Sequence, residues 1–287
     1  MPELPEVEVT RRQLAPLILG RVVSRVLASP DSRFFLTRSR DLRRRLVGRR
    51  LEALERRGKY LLARLDDGSL LLLHLGMTGQ LLGVDPAAVA GSSWFGRGRR
   101  RATPTVNAHT RLRLEFEDGG VELHFRDARK FGRVQLLSRG QRCARLERLG
   151  VDALEATPDD LWRATRGRGI SIKSLLLDQS VLAGVGNIYA DEALFLARVR
   201  PTRRANRTSR TEVGRIAAAL RGVLRGAIAD GGSSISDYLR PDGDRGRFQS
   251  NHRVYGRSGE PCLVCGAGIR RTVIGQRSAH FCPRCQR

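Results

Sequence analysis

Long apolar runs are missing from this chain. None approaches the ~18 consecutive apolar residues that a membrane-crossing helix needs, so no membrane-embedded function is expected. The opening MPELPEVE carries three glutamates and no apolar stretch, and no secretory signal peptide is expected from it. Acidic residues are short as well. Asp and Glu number 29 against 53 Lys and Arg, a formal net charge of +24. Part of the excess is scattered arginine that reads as compositional bias. The rest argues for a polyanionic partner, because each phosphate neutralised by Lys or Arg releases condensed counterions. No basic amphipathic helix dominates, which leaves a membrane surface the poorer candidate. Cysteine is scarce and lopsided: five in all, four of them in the last 26 residues. An odd count with two CxxC pairs suits a reducing compartment and a metal site better than disulfides. Internal repeats are absent. With 40% hydrophobic residues over 287 positions, the chain can build two compact domains and a small appended module, and wholesale disorder is excluded.

Residues 2–20 read as an amphipathic helix, with Val7, Leu14, Leu17 and Ile18 on one stripe and Gly20 as its stop. From about 21 to 137 the pattern is β, and Asp67-Gly68 and Asp118-Gly119 between apolar runs signal hairpins. This half is expected to form a β-sandwich. The Gly-, Ser- and Arg-rich stretch 83–109 reads as a long exposed loop. A domain boundary is expected near 140–155. Thr157 is a helix N-cap with Pro158 at the first helical position, and residues 157–230 then read as helices interrupted by Ala183-Gly-Val-Gly-Asn187. Gly, Ser and Asp accumulate over 231–246, which suggests a mobile loop. The tail 254–287 reads as a short β module.

Within that tail, Cys262-x-x-Cys265 and Cys282-x-x-Cys285 are separated by sixteen intervening residues. Four thiolates at this spacing wrap one Zn²⁺ tetrahedrally, with two knuckles facing across a hairpin. All four positions are thiolate, so no site stays open for water, and the zinc is a structural staple for a tail with little core of its own. Arg270 and Arg271 between the pairs make the hairpin a good phosphate contact. Cys143 reads as inert and partly buried.

Taken locally, Pro2-Glu3-Leu4-Pro5-Glu6 is a helix start, with proline in the first turn and glutamates near the positive end of the dipole. In context it is more. MPELPEVE, GKYLL at 58–62, HLGMTGQL at 74–81, RDARKFG at 126–132, GVGNIYADEALF at 184–195 and VYGRSGEPC at 254–262 follow in order before the cysteines. This series resembles the formamidopyrimidine-DNA glycosylase family over essentially the whole chain, and Leu4 sides with it against the endonuclease VIII branch, whose members start PEGPE. The resemblance implies an α+β fold: an N-terminal β-sandwich with an N-terminal helix (1–140), a helix–two-turns–helix domain (150–235) and a zinc-finger β-hairpin with four cysteine ligands (250–287). It implies a monomer acting on damaged duplex DNA in the cytoplasm, at the nucleoid, with one structural zinc and no other cofactor.

The resemblance also implies roles. Removal of Met1 would expose the secondary amine of Pro2; an α-amino group titrates near ~8, so a useful fraction is neutral and nucleophilic. Glu3 resembles the acid that protonates the opening sugar, with Glu6 in support. Lys59 is implied to contact flanking phosphates and assist elimination, Arg277 to bind the phosphate and assist a second elimination, and Asn187 to hold the same backbone. The glycines at 184 and 186 would let N–H groups approach phosphate at a helix start. Lys173 is a weaker backbone contact, and His109 a DNA contact. Met77, Arg129 and Phe131 would fill the hole left by an extruded base: a flexible wedge, a stackable guanidinium and a flat ring.

Several positions depart from the family pattern. Ala128 and Lys130 stand where proline and arginine are usual, and Arg111 where a second histidine is common. Two other readings compete. A non-catalytic protein of the same fold that recognises damaged DNA would not need Pro2, Glu3 and Lys59 together, and a zinc-dependent RNA-binding or transcription module would leave the N-terminal constellation without a purpose.

Overall fold

The computed structural model describes residues 1–30, 33–86, 108–235 and 238–287. Most of the stretch expected to be a long loop, 87–107, therefore lies outside the described residues. The chain divides into two compact units. One holds residues 1–2, 6–143 and 231–246; the other holds 3–5, 144–230 and 247–287.

The first unit is the expected sandwich. Helix α1 (Leu4–Ile18) precedes β1 (Val23–Ala28), α2 (Ser39–Leu46), β2 (Leu51–Arg57), β3 (Tyr60–Leu65), β4 (Leu70–His74), β5 (Gln80–Val84), β6 (Thr110–Phe116), β7 (Glu122–Arg126) and β8 (Arg133–Leu137). One antiparallel sheet runs β1-β6-β7-β5 and the other β2-β3-β4-β8. Every strand sends apolar residues into a single cluster, from Val26 and Leu54 to Leu114, Phe125 and Leu136. Val7, Leu14 and Ile18 of α1 join it, as the stripe predicts. Leu17 does not; it stays 37% exposed. Both hairpin signals hold: Gly68 (φ 76°) and Gly119 (φ 67°) take the left-handed backbone that closes β3–β4 and β6–β7. At the β2–β3 turn Gly58 does the same, and Lys59 follows it at the hairpin tip.

The second unit is helical. It contains α3 (Ala144–Glu147), β9 (Val151–Asp152), α4 (Pro158–Thr165), α5 (Ile172–Leu177), β10 (Leu182–Ala183), α6 (Asn187–Leu196) and α7 (Arg210–Ala229), then the hairpin β11 (Arg270–Ile274) and β12 (Arg277–Phe281). Thr157 and Asp160 close a full capping box on α4, and Ser209 and Glu212 another on α7. The β11–β12 turn has Gly275 at φ 52° and Gln276 at φ 62°, the pair of left-handed residues a type I′ turn requires. The tail is not free-standing. Val254, Cys262, Ile269 and Cys282 share one cluster with Phe195 of α6. Gln286 donates its side-chain amide to the Val199 carbonyl at 2.8 Å, and the Arg200 N–H donates to the Arg287 carbonyl. Among the described residues no helix is long and apolar enough to cross a membrane.

Candidate active site and nucleic-acid interface

In the helical unit, the candidate residues gather at the start of α6. The residue before this helix, Gly186, has no side chain to cap it. Glu3 does so from 185 positions away: Ile188 donates its N–H to Oε1 at 3.1 Å, and Tyr189 to Oε2 at 3.5 Å. A carboxylate is well placed there, facing unpaired N–H groups and the positive end of the helix dipole. Glu3 is 2% exposed. A Cβ at Gly186 would overlap the Glu3 carboxyl, and one at Gly184 (φ 105°) would meet the Leu4 side chain. This gives the two glycines a second reason, one the sequence does not show. They make room for Glu3 and Leu4, and two N–H groups of the helix start are already taken by a side chain of the chain itself.

Lys173 requires a correction. Its ammonium is fully buried, 2.6 Å from Asp191 Oδ1, and donates to the Ser278 carbonyl at 2.6 Å. Burial pushes its pKa down, and Asp191 opposes the fall. The other oxygen of Asp191 accepts the His280 N–H at 2.9 Å and lies 3.2 Å from His280 Nδ1. A lysine committed in this way holds β12 against α5 and α6; it does not reach a DNA backbone. Asn187 donates its amide to Ser278 Oγ at 3.3 Å, beside Arg277, which is exposed at the hairpin tip. Glu192 completes the joint. Its carboxylate accepts the N–H groups of Arg253, Val254 and Tyr255 at 2.8–2.9 Å, while burial pushes its pKa up. In the sequence, Asp191 and Glu192 are visible only as an acidic pair inside an otherwise apolar helix.

In the sheet unit, Pro2 is buried behind an exposed Met1. Glu6 is 1% exposed and accepts the Ser233 N–H at 2.8 Å; its carbonyl takes the Tyr238 hydroxyl at 3.1 Å. Ser234 Oγ receives the Gly246 N–H and donates to the Tyr238 carbonyl. The stretch 231–246, whose composition suggests mobility, is thus tied at Ser233, Ser234 and Gly246. Lys59 is 7% exposed at its hairpin tip.

The three wedge candidates share a surface. Met77 and Phe131 are 37% and 44% exposed, so neither is a core residue. The Arg129 guanidinium lies over the Phe131 ring, 4.8 Å from its centroid. His109, also exposed, accepts the Asp127 N–H on its carbonyl. Arg111, in the place of a family histidine, donates Nε to the Asp127 carbonyl at 3.0 Å.

The four cysteine sulfurs lie within 4.8 Å of one another. Cys262 and Cys285 are 3.9 Å apart, Cys265 and Cys282 3.4 Å. A tetrahedral zinc with ~2.3 Å bonds separates its sulfurs by about 3.8 Å, so this set fits one Zn²⁺. Cys143 is buried and is not one of this set.

Comparison with known proteins agrees with this geometry along the chain. Residues 1–134 match the model of the formamidopyrimidine-DNA glycosylase N-terminal domain, 149–238 that of the formamidopyrimidine-DNA glycosylase H2TH domain, and 259–287 that of a zinc finger found in FPG and IleRS. The formamidopyrimidine-DNA glycosylase of Thermomicrobium roseum is 44% identical over 294 residues, covering 100% of this chain and 99% of the relative. That of Thermus thermophilus is 43% identical over 293 residues, covering 100% and 98%. Among solved structures, the MutM (Fpg) protein from Thermus thermophilus superposes with a TM-score of 0.84 at 40% identity, covering 99% of this chain and 98% of that one. A mutant Lactococcus lactis Fpg in complex with Fapy-dG-containing DNA gives 0.86 at 32% identity, with 100% of both chains covered. With every segment matched in order and over the full length, the chain belongs to the formamidopyrimidine-DNA glycosylase family.

Proposed function

We propose that this protein excises oxidised purines, 8-oxoguanine and formamidopyrimidines, from duplex DNA and then cuts the strand at the abasic site. The observation that carries the reading is the fixed carboxylate of Glu3. It directly follows Pro2, the candidate nucleophile, in sequence and is held in place on the N–H groups of α6. The Pro2 nitrogen, freed by removal of Met1, attacks C1′ of the damaged nucleotide. The bond from C1′ to the base breaks and the base leaves with the proton given up by the Pro2 nitrogen; the C1′–O4′ bond then opens, O4′ takes a proton, and the sugar is held as an iminium. Glu3 exchanges the proton at the opening sugar, with Glu6 in electrostatic support. The iminium acidifies the C2′ proton, so the 3′ phosphate leaves on its removal, with Lys59 at the flanking phosphates. Arg277 serves the second elimination at the 5′ side, and Asn187 holds the same backbone.

Met77, Arg129 and Phe131 fill the space of the extruded base, and His109 contacts the strand. Cys262, Cys265, Cys282 and Cys285 hold one zinc, which supplies rigidity to the hairpin bearing Arg277. The segments 1–140, 150–235 and 250–287 then carry chemistry, backbone grip and phosphate capture. The charge of +24 suits a protein that works at the nucleoid.

Borohydride trapping on a duplex with 8-oxoguanine opposite cytosine tests the reading. A covalent adduct is expected, absent in Pro2→Gly, whose incision falls by about 10³-fold or more. An adduct that persists in Pro2→Gly, or full activity in protein whose mass retains Met1, overturns it. A non-catalytic damage-binding protein gives no adduct in any form.

A further inference from the structure

Asp127 lies at the centre of the wedge surface without being part of it. It is 0% exposed, and the described contacts use its carboxylate, its N–H and its carbonyl. Oδ1 accepts the Thr78 hydroxyl at 2.5 Å and the Arg129 N–H at 3.2 Å. Oδ2 accepts the Gly132 N–H at 2.7 Å. Its N–H goes to the His109 carbonyl, and its own carbonyl takes Arg111. Three segments distant in sequence therefore converge on one residue: the β4–β5 turn with Met77, the start of β6 with His109, and the loop 127–132 with Arg129 and Phe131.

The local backbone depends on this convergence. Lys130 sits at φ 59°, a left-handed conformation that a side chain with a Cβ disfavours. The carboxylate pins the loop on both sides of it, at Arg129 and at Gly132. With alanine at 128, the loop has no proline ring to restrict it there. The β4–β5 turn is equally constrained. A Cβ at Gly76 would run into the Phe131–Gly132 peptide, so the two wedge-bearing loops touch backbone to backbone. Thr78 is the one side chain on the β4–β5 turn that the described contacts show bonding to that carboxylate.

We infer that Asp127 and Thr78 are positioning residues that preset Met77, Arg129 and Phe131 for insertion, and so set the efficiency of base extrusion rather than of bond breaking. The inference rests on the glycosylase reading above. A buried carboxylate shared between two loops fixes their spacing more tightly than packing can. Misplacement of a substrate-positioning group by about 1 Å costs on the order of 10²-fold in rate. That cost falls where an intact base must leave the stack. It falls less on a duplex whose abasic site already lacks the base, because little unstacking remains to be done.

The test compares Thr78→Val, Thr78→Ser and Asp127→Asn with wild type in single-turnover assays. Two duplexes are used, identical except that one holds 8-oxoguanine opposite cytosine and the other a preformed abasic site. Thr78→Val keeps the volume and loses the hydroxyl. Its rate on the lesion is expected to drop at least about tenfold further than its rate on the abasic duplex. Thr78→Ser should restore the wild-type ratio to within about twofold, and Asp127→Asn should shift the ratio as Thr78→Val does. A merely structural role would lower both rates together, and an unchanged ratio in Thr78→Val overturns the inference whether or not Asp127→Asn folds. A wild type that incises neither duplex removes the glycosylase reading, and this inference with it.

Discussion

In the sheet unit, residues from all eight strands, α1 and α2 meet in one apolar cluster. In the helical unit, the joint between α6 and the zinc-bearing tail is made differently. Phe195 supplies an apolar contact, but around it stand Lys173, Asp191, His280 and Glu192, all buried and bound to one another or to backbone. Apolar burial is non-directional and tolerates small shifts. Buried ion pairs and thiolate ligation are directional and fail abruptly when one partner is lost. The unit that presents Arg277 is thus held by contacts that fix geometry at the cost of sensitivity to metal and to pH.

The comparison can be broken most severely at the metal. Chelation, or Cys282→Ser, removes binding energy on the order of 10 kcal/mol. Because the tail shares its cluster with Phe195, calorimetry should show the helical unit's transition lost or sharply lowered and the sheet unit's retained. Loss of both transitions together would show that the two units do not differ in this way. Asp191→Asn comes next. It leaves the Lys173 ammonium buried without its counter-charge, and the helical unit should lose about 3–5 kcal/mol in denaturant unfolding. A loss below about 1 kcal/mol would mean that Lys173 finds water.

The smallest effect is the response to acid. His252, 7% exposed between Phe248 and Tyr255, is pushed by burial from 6.5 to about 4. A depressed histidine binds fewer protons folded than unfolded. Its contribution is therefore complete above pH 6.5 and is lost as pH falls through about 4, at most about 3 kcal/mol. His252→Phe should flatten that slope in the helical unit's transition and leave the sheet unit's slope as it was. The sheet unit has its own acid response in part of this range, since burial also lowers His124 against the pull of Glu122. Among its carboxyl groups held low, Glu8 is the one pushed to about 2. Burial would raise Glu8, but Arg11, Arg12 and Arg56 prevail and hold it at about 2, so that its contribution is present above 4.5 and lost toward pH 2. Equal slopes in the variant and the wild type would remove His252 from the account.

Features set by short spacing are readable from the sequence. The two CxxC pairs, the Asp-Gly hairpins, the Thr157 cap with Pro158 and the stripe of α1 each depend on residues a few positions apart, and local geometry decides them. The wedge residues need the motif context, because a methionine and a phenylalanine read alone are core residues. Lys173 misleads, because a lysine within a basic chain looks like a phosphate contact until its partners, 18 and 105 positions away, are seen. Gly184 and Gly186 show in sequence only their place at a helix start, because nothing local reveals that Leu4 and Glu3 occupy the space beside them.

The amino-acid order alone determined the two-layer β half, the helical half and the zinc ligands, since periodicity, turn chemistry and ligand spacing act over a few residues; through its motifs it also named the candidate nucleophile. Only the tertiary structure decided that Glu3 caps a helix 185 positions on, that Lys173 is a bolt and not a DNA contact, and that Asp127 gathers the wedge. The cost of burying a charge forces each such group to find a partner, and which partner comes within reach is settled by how the elements pack.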